Sequence, residues 1–241
     1  MILKFKSLFI FLLPVLFYCK DNNLDETTRL VAPPAFHYLE FNGVFSVYLV
    51  QDTVYSIRIV GSSNTLENIS LKTEGDTLRI SNESKRKWLN PETNKVKLYI
   101  HSNQLKYIIA NATCYFETVN PITSDQFSLI MGAKTKLMEA RLDLNCNSFL
   151  YWNNHLSGGR LTLTGNVNNL SIYTFATESV DASNLIANYA LIENNSKGNC
   201  EVIVSNRLEY SIRGSGNIYI GGNPKEIIMN EKTSTGQLIP F

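Results

Sequence analysis

The stretch Tyr151-Trp152-Asn153-Asn154-His155 has the residue types best suited to holding a ligand. An exposed tryptophan can stack on the apolar face of a sugar ring, and neighbouring phenol, amide and imidazole groups can bond its hydroxyls. Tyr151, Trp152 and His155 are therefore candidate glycan-contact residues. Successive side chains of a strand point to opposite faces, so one of Tyr151 and Trp152 must turn inward. Trp88 beside Lys85-Arg86-Lys87 offers a second contact, although such a charge run also reads as a solvated loop. Residues for turnover are harder to find. The acids of the second half are Glu139, Asp143, Glu178, Asp181, Glu193, Glu201 and Glu209, of which Glu178 and Asp181 come nearest to a pair. Solvated turns explain them better than a carboxylate dyad does. Gly-x-Ser-x-Gly, His-Glu-x-x-His and phosphate-loop patterns are absent, so no catalytic residue is assigned.

Charge and cysteine usage narrow the field further. The net charge is +1, which leaves no basic excess to neutralise phosphates and argues against nucleic acid as a partner. Apolar residues make up 44% of the 241, enough for a packed core. Beyond Cys19 lie Cys114, Cys146 and Cys200, an odd number without Cys-x-x-Cys spacing, and only three histidines accompany them. This is not a clustered metal-ligand set, so neither a metal nor another cofactor is expected. The three cysteines read as small core side chains, with one bridge between neighbouring coils as the alternative.

The N-terminus reads as an address. Lys4 and Lys6 precede an apolar run from Leu8 to Tyr18, too short to span a bilayer and suited to a signal-peptide core. Cys19 follows, then the polar Lys20-Asp21-Asn22-Asn23. This predicts a lipoprotein signal over 1–19 with Cys19 as the lipidated residue, hence a membrane attachment through lipid, in the bacterial outer membrane and facing the cell surface. Leu16 fits the pattern, whereas Tyr18 stands where a small residue is usual; an ordinary secretory signal and an uncleaved anchor are the alternatives. Residues 20–35 read as a polar tether ending in Pro33-Pro34, with the folded part beginning near Phe36.

The elements that must position these groups are short strands. Asn42-Gly43 between two alternating runs predicts a local reversal, Gly75-Asp76 predicts another, and Thr65 to Ser70 reads as one helical turn or a loop. The region to Ile100 thus reads as an antiparallel β meander of about five strands. From Leu105 the rhythm changes. Strand starts at Leu105, Phe127, Phe149, Leu170, Ala190 and Leu208 are 22, 22, 21, 20 and 18 residues apart. Ala190 to Val202 aligns without a gap on Leu208 to Ile220, bringing Gly198 onto Gly216. The prediction is an all-β chain whose N-terminal β meander leads into a short right-handed parallel β-helix, a β-solenoid of about 20-residue coils. An antiparallel sandwich is the competing architecture. Asn111, Asn153, Asn154, Asn194, Asn195 and Asn217 fall at the turns, where they could bond along the stack or merely solvate loops. Pro224 lacks a backbone donor and is expected to end the pairing, leaving 226–241 as a cap or tail.

Gly43-Val-Phe-Ser-Val-Tyr-Leu-Val-Gln51, Leu66 to Ile80, Val96 to Ile109 and the closing Gly214-Ser-Gly-Asn-Ile-Tyr-Ile-Gly-Gly-Asn-Pro224 resemble the head GIN domain family of putative auto-transporter adhesins. The resemblance covers about Phe36 to Pro224, giving a domain over 36–225. Asn111-Ala-Thr113, Gly132-Ala-Lys134 and Ala176-Thr-Glu178 depart from it, standing where the family shows Gly-Ser-Gly. It implies a secreted or surface-tethered β protein, often a lipoprotein, and supplies no catalytic residues. The function expected is a lipid-anchored envelope binding or adhesion module whose partner is an extracellular glycan or a surface protein. A polysaccharide-active enzyme on a β-helix scaffold is the alternative.

Overall fold

The computed structural model describes residues 26–84 and 95–241. The expected signal, Cys19, the start of the tether and the Lys85 to Trp88 segment lie outside the described residues. About 70% of the described residues are strand and 2% helix, and the strands wind into a β-solenoid of about six turns of about 21 residues. The elements in chain order are β1 (Glu26–Val31), β2 (Tyr38–Asn42), β3 (Phe45–Gln51), β4 (Ser56–Ser62), α1 (Ser63–Leu66), β5 (Ile69–Glu74), β6 (Thr77–Asn82), β7 (Lys97–Ser102), β8 (Tyr107–Ala110), β9 (Cys114–Thr118), β10 (Ile122–Met131), β11 (Leu137–Trp152), β12 (Gly158–Ser196), β13 (Cys200–Ile212), β14 (Ile218–Gly222), β15 (Glu226–Lys232) and β16 (Leu238–Pro240).

The repeat read from the sequence is the register of the stack. Phe127 lies opposite Phe149, Phe149 opposite Leu170, and Ala190 opposite Leu208, all in parallel pairs. The same apolar positions therefore recur at the same point of each coil and form continuous inner rows. One runs Phe116, Ala140, Leu161, with bulk alternating between large and small so that successive layers interlock. The Phe127 and Phe149 rings meet at 5.8 Å between centroids. Phe36, Phe41, Phe116, Phe127, Phe149 and Tyr151 are the largest fully buried side chains of the core.

The N-terminal strands enter this stack out of chain order. β2 pairs in parallel with both β6 and β8, and β3 with both β7 and β9, so the first strands of the solenoid lie between later ones. Among the described residues, antiparallel pairing is confined to β1–β4, β4–β7 and β5–β6. Asn42-Gly43 is accordingly not a hairpin: β2 and β3 lie on two sides of one coil and Gly43 forms the corner. Gly43 is required there for space, since a Cβ would come within 2.8 Å of the Asn82 Cβ and 2.9 Å of the Phe45 ring. Gly75, by contrast, does turn a hairpin, at φ 57 between β5 and β6.

Two boundaries shift. Glu26 to Val31, expected in the tether, form β1 against β4, and Arg29 reaches across to the carbonyls of Leu66 and Ile69 at 3.1 and 2.8 Å. Backbone pairing and this guanidinium hold a strand that has little apolar alternation of its own. At the other end, Pro224 does not end the pairing. β15 resumes it against β13 and β16 against β14, so 226–241 adds further strands to the stack.

Corner glycines decide how closely the coils can approach. A Cβ on Gly216 would lie 1.9 Å from the Gly198 carbonyl oxygen, and one on Gly236 would lie 2.3 Å from that of Gly216. Backbone cannot yield there without breaking the ladder. Gly216→Ala is expected to destabilise the protein by about 2 kcal/mol or more, read as a lower urea midpoint at unchanged slope. Gly75→Asn, at an open position with a left-handed backbone that asparagine tolerates, should stay within about 0.5 kcal/mol of the parent. Equal midpoints for the two variants would sink the close-contact reading.

Candidate functional site

The structure separates the three residues singled out for glycan contact. Tyr151 and Trp152 end β11 with opposite phase. Tyr151 is fully buried, while Trp152 is 44% exposed on the outer face, flanked along the stack by Ile130 and Tyr173. His155 is half-buried in the corner that follows. There Asn153 makes a tight turn: its side-chain oxygen accepts from the His155 N–H at 2.9 Å, and its amide donates to the Ser157 hydroxyl at 2.8 Å. Asn153 is itself buried, so this amide shapes the corner and is not available to a ligand. Of the group only Trp152 presents a broad apolar surface. Tyr151 is removed from any surface contact by the strand alternation that the sequence implied.

What Tyr151 meets instead is Glu178. The phenol donates to Glu178 Oε1 at 2.9 Å, and the Ser157 hydroxyl donates to the same oxygen at 3.0 Å. Glu178 is buried, not in a solvated turn as expected, and it forms no pair with Asp181. Its backbone occupies the corner row that Gly198 and Gly216 continue, since a Cβ on Gly198 would strike the Glu178 carbonyl at 1.9 Å. Ala176, two residues earlier, takes φ 63, a conformation ordinarily left to glycine. Thus the departure from Gly-Ser-Gly keeps the corner and sends a carboxyl into the core. Burial pushes its pKa up, opposed by the donors Asn153, Tyr151 and Ser157. Burial likewise pushes the Tyr151 phenol well up.

The remaining acids weighed for catalysis are mostly committed to arginines. Asp181 meets Arg160 at 2.8 Å, Glu139 meets Arg141 at 3.0 Å, Glu209 meets Arg207 at 2.7 Å, and Glu193 and Glu231 clasp Arg213 at 2.7 and 2.6 Å. A hydrogen bond from Ser183, together with Arg160, holds the Asp181 carboxyl below its ordinary range. All lie on the outer surface; those of Arg160 and Arg213 join neighbouring coils, the other two run along one strand, and each adds little stability singly. Among the described residues, no three His, Cys, Asp or Glu side chains converge as a metal site would need.

Cys114, Cys146 and Cys200 are buried and unpaired, so the inter-coil bridge is absent. Cys114 and Cys146 donate to the carbonyls of Gly43 and Ile122 at 3.4 and 3.3 Å. Burial pushes their thiols up to about 12 and about 11, which removes the reactive thiolate at neutral pH.

One edge of the solenoid, not singled out in the sequence, carries two openings. A cleft of about 350 Å³ is lined by Tyr38, Gln104, Lys106, Ser124, Asp125 and Gln126. A second, of about 370 Å³, is lined chiefly by Asn145, Asn166, Asn168, Asn188 and Ser205. Ser124 of the first lies opposite Cys146 of the second, so the two adjoin along the stack. Between them the amides bond rung to rung: Asn147 donates to Asp125 at 3.1 Å, Asn168 to Asn147 at 3.1 Å, and Asn188 to Asn168 at 2.9 Å. Asparagines bond along the stack at Asn111, Asn194 and Asn217 among those expected at the turns, and this edge adds a row at Asn147, Asn168 and Asn188. The signal that could have found this ladder is Asn147, Asn168, Asn188 at the coil period.

Two outcomes follow from these environments. Glu178 has a folded-state pKa above its ordinary 4.5, so the folded state holds its proton more tightly than the unfolded chain. This group's contribution is full below about pH 4.5 and is lost as pH rises through the folded value. Glu178→Gln should abolish that decline in a stability–pH curve, and Glu178→Ala, which strands two buried hydroxyls, should cost about 2–4 kcal/mol. An unchanged slope in the Gln variant would refute the assignment. Separately, Cys114, Cys146 and Cys200 should react with a thiol reagent only after denaturation; labelling of any of them in the native protein would contradict their burial.

Residues 35–224 match the family described as "Putative auto-transporter adhesin, head GIN domain". No curated protein matches the chain. Among solved structures, it is similar to a "putative adhesin" from Bacteroides fragilis, with 21% identity, a TM-score of 0.79, and 90% of this chain and 97% of that one covered. A "putative adhesin" from Parabacteroides distasonis is similar at 14% identity and TM-score 0.64, covering 90% and 98%. A "putative lipid binding protein" from the same species is similar at 18% identity and TM-score 0.62, covering 91% and 98%. At these identities the solved structures attest the solenoid fold. The family match spans well over half of the sequence, on both sides of the 85–94 segment, and the chain belongs to the putative auto-transporter adhesin, head GIN domain family.

Proposed function

We propose that this chain is a lipid-anchored protein of the bacterial cell envelope that works as a binding module of adhesion type. The observation that carries the reading is the match of 35–224 to a family of adhesin heads. Two further features support it. The apolar run Leu8 to Tyr18 ends directly at Cys19, the order required for a lipid-bearing cysteine. Asp181 and Glu193 are tied up in inter-coil arginine pairs, and Glu178 serves the core, which favours binding over turnover.

The anchor and the binding role are tested separately. Cys19→Ala should move the protein from the membrane fraction to the soluble fraction and abolish incorporation of a labelled fatty acid. Retention in membranes without label would overturn lipidation. For location, protease added to intact cells should degrade the wild-type protein if it faces outward; protection until the outer membrane is opened would place it inside. Release of new reducing ends from an extracellular polysaccharide would replace the binding reading with the enzymatic one.

A further inference from the structure

We propose that the amide-lined edge is a binding track for an extended, neutral polysaccharide lying along the stack, with Tyr38 at one end. This rests on the reading of the chain as a binding module and assigns the surface and the ligand class within it.

The edge has a repeat of its own. Asp125, Asn147, Asn168, Asn188 and Ser205 occupy one position in five successive coils. With strands about 4.8 Å apart, the row is about 19 Å long. Each of the three asparagines gives one N–H to the rung below. Asn147 and Asn168 each accept from the rung above, and the Ser205 hydroxyl approaches Asn188 Oδ1 at 3.5 Å. An amide has two donors and two lone pairs. The ladder uses one of each where it is complete, and leaves one N–H and one lone pair per rung. Because every amide is held in the same sense, these free groups recur in a fixed order along the axis. Asn147 and Asn168 are exposed, as are Asn145 and Asn166 in the neighbouring row. The side chains are thus already ordered by one another, which lowers the entropy lost when a ligand binds.

The chemistry of the two clefts selects the ligand. Each is within the volume range of small-ligand sites. The first combines a tyrosine wall with two glutamines, a serine, a carboxylate and an ammonium. Tyr38 is itself fixed by stacking on Tyr107 at 4.3 Å between centroids. An aromatic wall with amide and carboxylate neighbours suits the mixed apolar and hydroxylated faces of a sugar. Lys106 and Asp125 are its charged groups and have opposite signs, while the residues lining the second cleft carry no charge. A polyanion therefore has no electrostatic reason to bind here. An extended peptide is disfavoured for a different reason. It would bind by adding to an open sheet edge, and β11, the strand under Asn147, is already paired on both sides. A neutral polymer whose hydroxyls can donate and accept in a repeating order remains.

The test is isothermal titration of the full-length protein in detergent with neutral di- to hexasaccharides of the cello, manno, xylo and chito series, with heparin hexasaccharide as the charged comparison. At least one neutral series should bind, more tightly as the chain lengthens, and heparin should not. Gln126→Ala and Asn168→Ala, both at exposed side chains, should each weaken that binding about tenfold, the loss of one good hydrogen-bonding contact. Trp152→Ala, on the same sheet face but four residues along the strand from the Gln126 row, should leave it unchanged. Loss with Trp152→Ala and not with the other two would overturn this site while sparing the binding reading. Preference for heparin would overturn the ligand class. Absence of sugar binding by any series, with capture of the intact protein by a purified surface protein, would overturn the polysaccharide proposal and leave a protein-binding module.

Discussion

Everything in this molecule depends on coils meeting backbone to backbone at a corner where no side chain fits. Parallel strands in a solenoid pair only if each turn brings the chain back one strand spacing higher, in register. The corners at Gly198, Gly216 and Gly236 achieve this by letting one peptide group rest directly on the next. Once that contact fixes the rise, the flanking positions superpose. Leu208 then falls on Ala190, Cys200 on Val180, and Ile218 on Cys200, and the inner rows close into one core. The same superposition lines up the outer residues, whatever their chemistry.

The corner at Glu178 demonstrates the tolerance of this arrangement. A large acid stands in the row occupied by glycine in the following coils, and Ala176 accepts a left-handed backbone nearby. The cost is offset by a compact set of bonds to Tyr151 and Ser157 of the coil below. A buried carboxyl with convergent hydroxyls can be mistaken for a catalytic group, since catalytic acids show the same raised pKa. Here the surrounding contacts are coil-to-coil, and the side chain is closed off from the surface. Perturbation and function are therefore separable in this fold: the perturbed group secures a corner, and the accessible groups are unremarkable singly.

Regular stacking also explains why a binding surface can arise from common residues. No single asparagine of the edge is distinctive. Repeated at the coil period, Asn147, Asn168 and Asn188 become an ordered row, each holding the next in orientation. Function in a solenoid can be carried by such rows, where the spacing is supplied by the backbone and the chemistry by one residue per turn. Affinity for a polymer can then grow with the number of rungs engaged.

The sequence by itself determined the period, the alternation along each strand and the terminal glycine corners, because alternation and turns are local and the period can be counted along the chain. Phe127, Phe149 and Leu170 could be matched by counting, and the alternation in Tyr151-Trp152 already required one ring to be inside. The direction was decided only by the tertiary structure, which buries Tyr151 against Glu178 from the next coil. So was the place of β2 and β3 between β6–β7 and β8–β9, which depends on contacts between segments dozens of residues apart. Asn42-Gly43 read as a local reversal within an antiparallel meander because a tight reversal and a solenoid corner ask for the same small residues. Only the partner strands distinguish them. The amide edge escaped notice for the same reason: its residues lie about 20 apart, and they become neighbours only when the coils stack.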